Sequence, residues 1–239
     1  MKNLRGTFIL TVVALSAWSC LVSCLPGQTL KERLEQPTDF VPWKTINPVD
    51  QLVQVGQRFK LPMAIEFLNP SPLTSLPDLH FKRGSVLELI QAIVGRAPEN
   101  QVTAEDQIIH IYPKAFVSHP FNFLNLRIPE FKISKQSVQW AEDDLKLSIK
   151  ELFYPEKYKG GSVSARFISK EPALERNNVT VSGENLTIRE ILTRIAISSG
   201  NVLWVVGLGP KDFSGQTPLW KVSEPVWAAT RWKFIPLSP

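Results

Sequence analysis

The chain has 239 residues, 44% hydrophobic and 21% charged, with a formal charge of +5. That balance is ordinary for a globular protein. Lys2 and Arg5 supply two of those charges, and the weak excess left behind them does not make the basic stripe that nucleic acid requires. The two cysteines are Cys20 and Cys24, so nothing downstream can form a disulfide, a thiolate metal site or a cysteine nucleophile.

The N-terminus reads as an export signal. Lys2 and Arg5 precede an uncharged apolar run from Phe8 to Trp18, about eleven residues and the length of a signal-peptide core. Extending the run to Leu25 approaches the roughly twenty residues of a membrane span, so an uncleaved inner-membrane anchor is the alternative. Leu21-Val22-Ser23-Cys24 resembles the bacterial lipobox. The resemblance implies a signal peptide over 1–23, a diacylglyceryl group on Cys24, and cleavage that makes Cys24 the new N-terminus. Leu25 stands where an Asp would resemble an inner-membrane retention signal. An outer-membrane lipoprotein facing the periplasm is therefore expected, with a soluble periplasmic form as a further alternative. About 215 residues would remain, enough for one large or two small domains.

Residues 24–43 are polar and proline-containing, with Lys31, Glu32, Arg33 and Glu35, and read as a tether. Val49, Leu52, Val53, Gly56 and Phe59 lie on one helical face beginning near Pro48, and Pro62 ends it. Ala64 to Leu68 is extended, and Asn69-Pro70-Ser71-Pro72 is a loop. Leu79, Phe81 and Arg83 alternate with His80 and Lys82, predicting a half-buried strand. Ser85-Val86-Leu87-Glu88 is a capping box before a helix with Val86, Leu89, Ile90, Ile93 and Val94 on one face. Gly95 and Pro98 stop it, and Asn100–Thr103 and Ile108–Tyr112 read as a hairpin.

The plan then recurs. Val138, Ala141, Leu145, Ile149 and Leu152 form an amphipathic helix closed by Pro155. Val179-Thr180-Val181 is a strand, and Thr187-Ile188-Arg189-Glu190 is a second capping box. Ile188, Ile191, Leu192, Ile195 and Ala196 repeat the first capped helix's spacing, Gly200 ends it, and Val202 to Val206 is a buried strand. The fold class expected is α+β, with two small helix-on-sheet domains of β-α-β-β-α-β type in tandem, at 44–114 and 121–239.

Residues 44–114 resemble the short N-terminal domain of secretins and TonB-dependent receptors. The residues that carry this are the helix Asp50 to Phe59, the run Leu61 to Glu66, Leu79-His80-Phe81, the capped helix Ser85 to Val94 and Ile108 to Pro113. The stretch Asn69 to Asp78 is longer than the family's usual turn, and the second unit matches only around Val179 to Val206. The resemblance implies a periplasmic docking domain without catalytic residues, which contacts an envelope protein, for instance by adding a strand at a sheet edge.

The residues themselves point the same way. No HExxH, GxSxG, P-loop or GxGxxG occurs, so no catalytic residue, cofactor or metal is expected. His80, His110 and His119 read as surface or satisfied side chains; a metal between two strand histidines is the alternative. Glu142-Asp143-Asp144 point in different directions on a helix and read as a solvated face. Asn178-Val179-Thr180 and Asn185-Leu186-Thr187 fit the glycosylation sequon, but a bacterial-type signal makes both chance matches. Trp220, Trp227 and Trp232 are the candidate partner-binding residues, with Trp204 assigned to the core. Two functions stay open: a non-catalytic docking module accessory to a secretion or uptake system, held to the membrane by lipid, or a protein binding or acting on cell-wall glycan such as peptidoglycan through a Trp-lined surface.

Overall fold

The computed structural model describes residues 28–42, 47–68, 78–105, 107–119, 122–158, 174, 179–208 and 232–237. The signal peptide, Cys24, Trp220, Trp227 and the Asn69–Pro72 loop lie outside them. The first half carries α1 (Leu30–Glu35), β1 (Pro37–Thr38), α2 (Pro48–Phe59), β2 (Met63–Leu68), β3 (Gly84–Ser85), α3 (Val86–Val94), β4 (Asn100–Ala104) and β5 (Ile109–Pro113). After a 3₁₀ turn at Phe123–Asn125 come β6 (Arg127–Gln136), α4 (Val138–Phe153), α5 (Pro155–Tyr158), β7 (Val179–Thr187), α6 (Ile188–Ser199), β8 (Val202–Leu208) and β9 (Trp232–Pro236). The class is α+β.

One five-stranded sheet, in the order β4-β5-β2-β8-β9, takes strands from both halves. β2 runs parallel to β5 and to β8, while β4–β5 and β8–β9 are antiparallel. The units expected at 44–114 and 121–239 therefore share their central sheet. Strand alternation divides it between two cores. Met63, Ile65, Phe67, Ile109, Ile111 and Leu203 pack with the buried faces of α2 and α3. Ala64, Val202, Trp204, Val206 and Phe234 pack with α6, α4 and the separate antiparallel ribbon β6–β7.

Local chemistry accounts for the helices. Asn47 caps α2 by accepting from the Val49 amide at 3.0 Å, Pro48 fits its first turn, and Lys60 closes it in the left-handed region at φ 54°. Gly56 lets α2 approach β8: a Cβ there would lie 2.7 Å from Leu203 Cδ2. Both predicted capping boxes form, Ser85 with Glu88 and Thr187 with Glu190, and Gly200 ends α6 at φ 67°.

Three expectations are corrected. The described part of the tether, 28–42, is packed onto the fold. Thr29 and Glu32 make a third capping box, Leu30 and Leu34 are buried under α3, and β1 pairs with β3. A 4-residue spacing of leucines puts both on one side of a short helix, a signal hidden among the charges around them. The strand expected at Leu79–Arg83 is coil and bend, and only Gly84–Ser85 is strand. Its partner β1 is two residues long, so the ladder can be no longer. Glu142 is not on a solvated face. It is 8% exposed beside Ala141 and Leu145, and burial pushes its carboxyl above the usual range despite Lys146 Nζ at 2.8 Å.

Candidate functional site

Trp232, a candidate for partner binding, is 2% exposed. Its ring stacks on Phe123 with centroids 6.2 Å apart and planes 21° apart, inside the core shared with the fully buried Trp204. The strand register explains this: Trp232 stands opposite Val206 and so shares its inward face. It is a core residue rather than part of a surface platform. The indole Nε1 of Trp204 and of Trp232 finds no acceptor among the described residues.

A buried polar cluster joins the halves. Glu66 comes from β2, where its partner on β8 is the apolar Val206, and its side chain is 3% exposed. Arg189, on the first turn of α6, donates to both carboxylate oxygens, through Nε to Oε1 and through Nη2 to Oε2 at 2.9 Å. Its Nη1 donates to Asn125 Oδ1. Asn125 Nδ2 in turn donates to the carbonyls of Val117 at 3.0 Å and His119 at 3.1 Å. A carboxylate gripped by a planar guanidinium is strongly oriented. With both oxygens committed, Glu66 acts as a fastener between β2 and α6.

His110 lies on the same face of the sheet, paired across from Ala64. Its Nε2 is 3.6 Å from the Glu105 carboxylate, too long for a hydrogen bond. Burial lowers its pKa below the ordinary value; the Glu105 and Glu66 charges oppose this, and Arg189 adds to it. His80 is exposed and in coil, and His119 is half-buried beside Phe116. Among the described residues no three His, Cys, Asp or Glu side chains are placed to hold a metal.

The surface feature that the sequence did not announce is on the ribbon. The outer edge of β7 is occupied by side chains from α6. Ser198 Oγ accepts from the Thr180 amide at 3.0 Å and donates to the Thr180 carbonyl at 3.1 Å, and Arg194 Nη1 donates to the Ser182 carbonyl at 3.0 Å. The other edge, along β6, carries no such cover among the described residues. A cleft of about 280 Å³ runs beside it, walled on the far side by α4. The alternation of Phe131 and Ile133 with Glu130, Lys132 and Ser134 is the strand signal this stretch of the sequence carries.

Comparison with models of protein families, with curated proteins and with solved structures found no match. No described helix is long and apolar enough to cross a membrane.

Proposed function

We propose that this protein is a non-catalytic docking module of the bacterial envelope, exported by its N-terminal segment, held to the outer membrane by a lipid on Cys24, and accessory to a secretion or uptake system. The observation that carries the docking reading is the asymmetry of the ribbon: the β7 edge is bonded at Thr180 and Ser182 by Ser198 and Arg194, while among the described residues nothing bonds the β6 edge, which borders a helix-walled cleft. An edge without cover offers its amides and carbonyls to an incoming strand, and Pro129 and the slip beyond Ile133 confine that offer to the stretch between them. The order α2, β2, α3, β4, β5 over the first half supports the helices and hairpin of the periplasmic docking domain the sequence resembles, while the second strand that the resemblance implies at Leu79–Phe81 is coil.

Crosslinking in intact envelopes tests the proposal. Recovery of one dominant protein partner is the expected result, and retention on peptidoglycan without a protein would refute docking. Mass spectrometry of the mature N-terminus tests the anchor, for which lipid mass on Cys24 is expected.

A further inference from the structure

We infer that the open edge of β6 and the cleft beside α4 receive an extended, positively charged segment of a partner protein, which joins the β6–β7 ribbon as a third strand. This rests on the docking reading above and adds its site and the chemistry of its partner.

In an antiparallel pair, residues directly opposite each other point their hydrogen-bonding groups either both inward or both outward. Thr180 and Ser182 point outward, because α6 side chains bond their backbone groups. Lys132 stands opposite Ser182, and Glu130 opposite Glu184, so both share that outward orientation on β6. Their amides and carbonyls are bonded by no described residue. The run unbonded among the described residues ends where the ladder slips beyond Ile133 and Lys135 turns to φ 53°. β4 also ends a sheet, but it is 5 residues long against 10 for β6.

The cleft selects what can lie there. Asp144, Leu147, Ser148 and Glu151 lie on one stripe of α4 and face β6 across it. Phe131 and Ile133, each 3% exposed, belong to its β6 wall. A strand hydrogen-bonded to β6 would sit about 4.8 Å away, alongside the cleft that the α4 stripe helps to line. The charges lining the cleft are Glu130, Asp144 and Glu151 against the single Lys132. The excess of carboxylates favours lysine or arginine on the incoming segment and repels an acidic one.

Fluorescence anisotropy on the full chain tests this with two synthetic peptides of about ten residues, both alternating Val and Thr, one bearing lysines and the other glutamates. The lysine peptide should bind about tenfold tighter or more, and less tightly as salt rises. Lys132→Pro removes an outward amide at an edge position that tolerates proline and should abolish binding. Asp144→Lys with Glu151→Lys leaves the backbone edge intact and should reverse the preference toward the glutamate peptide. Thermal melts check that each variant folds; if Lys132→Pro does not, the charge reversal decides alone.

Equal binding of both peptides, or no reversal of preference, would overturn the inference. So would hydrogen-exchange protection of the Glu130 and Lys132 amides in the free protein, which would mean the edge is already filled. A dimer that dissociates in the charge-reversed variant would assign the edge to a second copy and also overturn it. If the charge-reversed variant keeps the wild-type protein partner in envelopes, the docking module stands while this site falls.

Discussion

Toward α2 and α3, β2 presents Met63, Ile65 and Phe67, all fully buried among aliphatic neighbours; toward α6 it presents Ala64 and Glu66, the second gripped by Arg189. The first face coheres by volume and apolar area, which many side chains of similar size could supply. The second face adds to its apolar contacts one directional pair, in which a charge left alone has no water to turn to. Cohesion within the first half is thus generic, whereas the joining of the halves is specific.

The largest expected effect breaks the pair. Arg189→Met strands the Glu66 carboxylate and should cost about 4 kcal/mol of stability in urea unfolding. Adding Glu66→Leu should recover most of that loss. A single substitution costing under about 1 kcal/mol would erase the contrast between the faces. Next comes the generic face: Leu89→Ala on α3, fully buried, should cost about 3 kcal/mol through lost burial and a cavity, and Leu89→Met much less. Thr187→Ala removes the cap of the helix that carries Arg189 and should cost about 1 kcal/mol.

The smallest effect is a pH dependence on the polar face. Burial holds His110 below its ordinary pKa, so the unfolded chain binds more protons. Stability should then fall as pH drops through about 6.5, the unfolded value, and level off below the folded one. His110→Gln should flatten that part of the curve in urea titrations between neutral and acid pH. An unchanged slope would place the acid sensitivity elsewhere.

Where a local rule decides the outcome, the sequence was legible. The capping boxes at Ser85 and Thr187, the start of α2 at Pro48 and the β4–β5 hairpin could be read because each depends on a few neighbouring residues. What escaped depends on distant pairing. Glu66 looks like an ordinary strand carboxylate until α6 brings Arg189 against it, and nothing in the spacing of the two residues announces that. The β6 strand was hidden because its buried residues Ile128, Phe131 and Ile133, which enter one core, stand three and then two apart and so break strict alternation. Trp232 was misplaced because aromatic richness signals a surface and a core equally well, and only the β8–β9 register tells them apart.

The parallel pairing of β2 with β8 sets the tempo of assembly. Ala64 meets Trp204, and farther on the side chains of Gln57 and Lys60 donate to the carbonyls of Pro236 and Leu237. Contacts this remote along the chain must wait for a large loop to close, which slows the search for the native state. Neither half can finish its central sheet while the other is still missing, so a ribosome releasing this chain piecemeal hands over an incomplete β-layer until β9 emerges.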